Sequence, residues 1–399
     1  MNPMQPSSLV ARVIPPQIHL TLVAILLFAE IVYSSRLHML FPYLNSQPLV
    51  LGLIFAISGI YAALTWIDGF ASQIISFLIA TSVVAGAVYN SEQVTNLPNK
   101  LSTAFQFAPL FTFGVFFALE RVALAEATMR MVVISTTIYV CSYLIVVLLF
   151  MSELMPALYL RPILLTDVER GDRIFVYAGA AAFAWYYWFG RALQERTLWS
   201  MILATFCGVA ILLTLSRLFI SCVVLMTALF VLRFSTSAIR KIALMILGSS
   251  TLLYTFGFID VSFNPFSAFS ADSSGGARAI EYDLARHLLF NSPLLGIGVH
   301  QSSYELGFVT GNYFFASADL GPLGVWLDFG ALGLCLFFAA SYVSCQPIMS
   351  IPQRFGWPLF LTGSMLTAYG CIAPNLFSQG GALYFAMIFG FSAARTGTK

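Results

Sequence analysis

The chain has 399 residues, of which 59% are hydrophobic and only 9% charged, with a formal net charge of +2 at pH 7. That balance excludes a soluble globule, and the near-neutral charge points to no class of partner. A spanning helix needs about 20 mostly apolar residues, and the sequence offers many such runs. The expected fold is therefore an all-α polytopic membrane protein, a single integral membrane domain over residues 1–399.

In chain order, Arg12 and two prolines precede the first apolar run, with no small-residue cleavage pattern, so this run is expected to stay as an anchor. Twelve spans are predicted, near 17–34, 49–66, 71–88, 104–119, 130–151, 174–190, 197–214, 217–233, 241–258, 319–344, 357–372 and 379–394. The stretch from Arg196 to Arg233 is too long for one span and fits a tight hairpin turning near Thr214–Arg217. Glu30 lies inside the first span, where a carboxylate is a functional candidate by default. Trp185-Tyr186-Tyr187-Trp188 reads as an interfacial aromatic belt. Cys141, Cys207, Cys222, Cys335, Cys345 and Cys371 fall in or beside apolar segments and read as small core residues, neither a disulfide framework nor a zinc site. The two halves show no internal repeat, which counts against a two-fold-symmetric transporter. Low-complexity and nucleic-acid-binding segments are absent.

Lysine and arginine set the orientation. With the N-terminus inside, cytoplasmic segments carry Arg12, Arg121, Arg130, Arg191, Arg196, Arg233, Arg240, Lys241, Arg354, Arg395 and Lys399, whereas the short outside loops carry only Arg36 and Lys100. The positive-inside bias thus puts both termini in the cytoplasm. Arg161, Arg170, Arg173, Arg217, Arg278 and Arg286 run against it, on the 152–173 loop, the hairpin turn and the long 259–318 loop. Something other than topology keeps them there. With Asp167, Glu169 and Asp172, the 152–173 loop reads as a mixed-charge surface able to help hold an acceptor sugar.

Residues 273–324 form the longest stretch that cannot be a span. Its first part reads as a helix capped by Ser273 or Ser274, entered through Gly275 and Gly276, and stopped by Pro293. Ala277, Ile280, Leu284 and Leu288 recur at helical spacing, while Arg278, Tyr282 and Arg286 step along another face. Such a helix is expected on the membrane surface, arginines to water, with Leu288, Leu289 and Phe290 to lipid or protein. That layout suits a site for a membrane-bound anionic substrate. Arg217 reads either as a snorkelling anchor or as a two-pronged donor to a diphosphate. Arg286 either pairs with Asp283 or contacts substrate. His300 follows Gly296-Ile297-Gly298 and is either a satisfied polar residue or a base. Asp319 serves as a helix cap or a site acid, and Glu305 is a lesser candidate.

The helix arginine, then PLLGIG, then a polar-aromatic run ending in ADLGPLG resembles the O-antigen ligase and O-antigen polymerase superfamily. Thr214-Leu215-Ser216-Arg217, at the head of an apolar segment, is similar to the family's other signature. The resemblance implies a polytopic enzyme of the bacterial inner membrane that transfers undecaprenyl-diphosphate-linked glycans on the periplasmic face. It implies Arg217 and Arg278 as diphosphate donors and matches Asp319 to an acidic position of the family; Tyr282 and Arg286, on the same helix face as Arg278, are the further candidate substrate contacts, and no cofactor is expected. The implied partners are a lipid-linked donor and acceptor, membrane lipids and other polysaccharide-assembly proteins. Counting back from Gly321 and Gly324, Thr310 and Gly311 stand where the ligases carry their histidine motif. This departure favours the polymerase branch and leaves room for His300 to act as the base. The polymerases' paired arginine loops are not cleanly matched either, since Ile297, between Gly296 and Gly298, stands eleven residues after Arg286. A ligase acting on lipid A core is the first rival, and a lipid-linked oligosaccharide flippase the second. A flippase is expected to line a central cavity with its charges, whereas these gather in outside loops. No acidic pair has metal-ligand spacing, so no metal is expected.

The orientation has a direct check. A Ser274→Cys variant in intact spheroplasts should react with a membrane-impermeant thiol reagent. Reaction only after permeabilisation would place the 259–318 loop on the inside.

Overall fold

A chain this apolar has to satisfy its own backbone, and helices do so within one segment. The structure, a computed structural model, describes residues 15–40, 46–67, 71–89, 107–167, 171–255, 273–299, 315, 317–373, 376–377 and 380–396. Its helices are α1 (Pro16–Ser34), α2 (Ser46–Ile67), α3 (Ala71–Tyr89), α4 (Phe113–Arg121), α5 (Ala125–Met151), α6 (Ala178–Glu195), α7 (Leu198–Leu212), α8 (Arg217–Val231), α9 (Thr236–Thr255), α10 (Ser273–Asn291), α11 (Gly321–Ser344), α12 (Gln353–Tyr369) and α13 (Ala382–Thr396). Among the described residues, five segments are long and apolar enough to cross a membrane: Pro16–Ser34, Gln47–Leu64, Ala125–Met151, Thr236–Leu253 and Gly321–Ser344. Leu198–Leu212, Arg217–Val231 and Ala382–Ala393 are shorter apolar helices.

The interior is built around α6 and α12. Phe183, Leu359, Phe360, Met365 and Leu366 are shielded almost completely. α12 packs on α6, α8, α9, α11 and α13. The fourth predicted span departs most from expectation. Residues 108–112 form a 3₁₀ turn and α4 is only nine residues long, with Phe113–Leu119 all buried beneath α2 and α13.

The fold is mostly helical, as expected, with one local addition: β1 (Leu164–Asp167) and β2 (Gly171–Ile174) pair antiparallel in the 152–173 loop, Leu164 opposite Ile174 and Asp167 opposite Gly171. Ile163 and Ile174 are buried at the base of this hairpin while Arg161 and Asp172 are exposed, so burial of one apolar end fixes it. Trp185 to Trp188 do not form a belt. Trp185 Nε1 donates to Thr227 Oγ1 at 2.9 Å and Trp188 Nε1 to Thr137 Oγ1 at 2.8 Å, while Tyr186 and Tyr187 are buried. A polar acceptor on the neighbouring helix draws each indole inward.

The faces of α10 are corrected too. Ile280 is 60% exposed, whereas Tyr282 is 2% exposed and packs with Ala285 and Leu289 against Leu320, Leu323 and Leu327. Contact with α11 chooses the buried stripe, and an apolar surrounding puts no penalty on leaving Ile280 and Phe290 outside.

α11 is broken at Gly330, whose φ is +70°. The Pro293–Ile297 loop fills the break. Ile297 N donates to Leu327 O at 2.7 Å, and Ala331 N donates to Leu294 O at 3.1 Å. Trp326 Nε1 reaches Pro293 O at 2.7 Å. Gly296, with φ +69°, meets Gly330 backbone to backbone, and a Cβ on either would overlap a carbonyl oxygen, Leu327 O or Leu294 O. Gly330→Ala should therefore destabilise the purified protein, about 1–3 kcal/mol coming from the positive φ alone. Gly59→Ala, with nothing within 4 Å of its new methyl, should instead stabilise by up to about 1 kcal/mol. Thermal melting in detergent compares the two, and equal melting temperatures would show that the contact is not tight.

Candidate active site

Main-chain contacts define one end of the bundle. Gly179 N donates to Gly380 O and Gly321 N to Ile372 O, both at 2.8 Å. These bonds bring the starts of α6, α11 and α13 and the end of α12 together. The α7–α8 turn joins them, because Phe219 sits edge-on to Tyr369 at 5.8 Å.

Arg217 opens α8 at this turn. Leu215 takes φ +53°, Thr214 Oγ1 donates to Ile211 O at 2.7 Å and also accepts Ser216 N, and Thr214 is 2% exposed. Thr214 thus locks the turn, and the half-buried Arg217 leaves it in the first helical turn. The hairpin expected over 197–233 is present in this form.

Asp319 is exposed on a 3₁₀ turn, Ser317–Asp319, just before α11. It lies within electrostatic reach of Arg36. Arg36 follows α1 with φ +60° and stacks its guanidinium 4.0 Å from the centre of the Phe175 ring, beside the β-hairpin. Burial pushes its pKa below the ordinary arginine value, opposed by Tyr33 and Asp319. The group nevertheless stays cationic, as arginines do. Arg36 Nε has no hydrogen-bond partner among the described residues. Sequence reasoning passed over Arg36, although it was one of two basic residues in short outside loops.

α10 packs along α11. Arg286 pairs with Asp283 and also donates to Tyr282 O at 3.4 Å, so the Asp283 partner expected from spacing is present. Tyr282 is the buried support under the helix, not a member of an exposed arginine face. Arg278 lies in the second turn of α10. His300 and Glu305, with Thr310 and Gly311, lie outside the described residues, as do Glu169 and Arg170.

A buried carboxylate and a half-buried one complete this end. Glu30 is fully shielded, accepts Ser34 Oγ at 2.7 Å, and has Tyr177 and Tyr384 within electrostatic reach. Tyr139 OH accepts Tyr177 N at 2.7 Å beside it. Asp328 accepts Ser317 Oγ at 2.9 Å, close to the α11 break. The Asp328 position carried no sequence signal beyond its place in a span. Among the described residues, no three His, Cys, Asp or Glu side chains group closely enough to hold a metal ion.

Residues 199–338 match the family model described as O-antigen ligase. The match runs from α7 into α11 and takes in the Arg217 turn, α10, the Pro293–Ile297 loop and the Gly330 break. No curated protein and no solved structure matches the chain.

Proposed function

We propose that this chain belongs to the O-antigen ligase and O-antigen polymerase superfamily, whose ligase family model it matches over residues 199–338, and is a glycan polymerase of the bacterial inner membrane. Its donor is a growing chain on undecaprenyl diphosphate and its acceptor a lipid-linked repeat unit. The observation that carries this reading is the grouping of the Arg217 turn, Asp319 and Arg36 at one end of the bundle, with the arginine-bearing α10 packed on the α11 that starts there. In this reading that end faces the periplasm, twelve spans hold it, and both termini are cytoplasmic.

An acceptor hydroxyl attacks the anomeric carbon of the donor. The new glycosidic C–O bond forms as the bond to the diphosphate oxygen breaks, and the electron pair leaves with that oxygen. His300 takes the hydroxyl proton. Arg217 and Arg278 stabilise the charge on the departing diphosphate, and a planar guanidinium can offer it two parallel hydrogen bonds. Arg286 and Asp319 orient the glycan ends, with Tyr282 holding α10 beneath them. No step needs a metal ion.

A ligase reading, with lipid A core as acceptor, is favoured by the description of the matching family. Thr310 at the ligase-histidine position favours the polymerase. Purified protein given lipid-linked repeat units should produce a size ladder, and EDTA should leave the ladder intact. A single transfer to added lipid A core would establish the ligase, and rescue of a lost ladder by magnesium would overturn the metal-free mechanism. Arg217→Lys should be nearly as damaging as Arg217→Ala, each slowing elongation on the order of a hundred- to a thousand-fold. Lysine keeps the charge but loses the fork, so near-normal elongation by the lysine variant would reduce Arg217 to an interface anchor.

A further inference from the structure

The opposite end of the bundle carries a second basic site. α12 meets α5 and α6 there, with Arg354 paired to Glu126 and the Phe355 ring stacked on Tyr187 at 5.9 Å between centroids. A cavity of about 450 Å³ opens between these helices, and a smaller one of about 150 Å³ lies across Tyr187, Arg191 and Arg354 from it. Two kinds of surface line the larger cavity. Ile134 and Ile138 of α5, 59% and 61% exposed, form its apolar flank and present branched side chains outward from the bundle. Arg130, Arg191 and Arg354 form its polar rim.

Charge in the rim does not balance. Arg130 and Arg354 both contact the same carboxylate oxygen, Glu126 Oε1, while Arg191 forms a two-pronged pair with Glu195. Three guanidiniums therefore share two carboxylates. Arg191 and Arg354 are also held in place by rings. Arg191 lies 5.6 Å from the Trp188 ring centre and 5.9 Å from that of Tyr187, and Arg354 lies 5.0 Å from Phe355. Arg191 Nη1 also donates to the Tyr187 hydroxyl at 3.4 Å, so ring and carboxylate partners together fix its guanidinium at the rim.

We propose that this groove binds an anionic phospholipid of the adjacent leaflet, its phosphate held by Arg130, Arg191 and Arg354 and an acyl chain laid along Ile134 and Ile138. Excess positive charge beside an outward-facing apolar flank matches a lipid, whose phosphate and chain are covalently joined, better than a free anion. Arginines at helix ends on the cytoplasmic side commonly serve such headgroups. The site is separate from the proposed transfer chemistry and rests only on the chain's lying in a bilayer.

The experiment is native mass spectrometry of the full-length protein in detergent with added phosphatidylglycerol or phosphatidylethanolamine. Phosphatidylglycerol should be retained preferentially, and Arg191→Gln or Arg354→Gln should each weaken that preference about fivefold. Glu126→Gln provides an arm of opposite sign. It releases Arg130 and Arg354 from their shared carboxylate and should strengthen retention, which keeps the test decisive if an arginine variant fails to fold. Arg233→Gln, in the α8–α9 turn and outside the residues that line the groove, should change nothing. Equal retention of both lipids, no gain in Glu126→Gln, or displacement of the lipid by millimolar inorganic phosphate would each overturn the proposal.

Discussion

Two main-chain hydrogen bonds, Ile297 to Leu327 and Ala331 to Leu294, allow a long apolar helix to break without leaving bare peptide groups. In a bilayer each unsatisfied group would cost several kcal/mol, so irregular backbone survives at that depth only when protein covers it. Here the cover is the Pro293–Ile297 loop, which directly follows α10. The break in α11 and the position of α10 are one structural event. Glycine at both 296 and 330 follows from it, since the two strands of backbone touch where any side chain would stand.

From this joint the rest of that end can be built. α10 lies along α11 through Tyr282, Ala285 and Leu289. Asp319 precedes that start and faces Arg36, which leans on Phe175 beside the β-hairpin. Gly321 ties the same start to the end of α12, and Tyr369 of α12 touches Phe219, half a turn beyond Arg217. Elements distant in sequence are thereby joined by backbone and ring contacts. Arg217 has contacts of its own within the chain, so its role at the turn is both structural and, in our proposal, chemical.

The sequence was most legible where length and charge speak. Arg196 and Arg233 bracket a segment that only a hairpin can satisfy, and its turn falls at 213–216. α10 begins at Ser273 and ends before Pro293, as capping and breaking residues dictate. Partner choice was less legible. The buried face of α10 could not be read from apolar spacing, because residues facing lipid and residues facing protein are equally apolar. The tryptophans of α6 look like a belt until Thr137 and Thr227 appear opposite them. Arg36 was passed over because its neighbours, Phe175 and Asp319, lie far along the chain, and the break at Gly330 is hidden inside an unbroken hydrophobic run.

Amide hydrogen exchange across the joint tests the central claim most directly. If the Pro293–Ile297 loop fills the α11 break, peptides covering 292–299 and 325–333 should exchange as slowly as those from the interior helix α12. Both should loosen together as denaturant is added. Exchange of 292–299 within seconds, while α11 stays protected, would contradict the joint and remove the frame on which the placement of α10 depends.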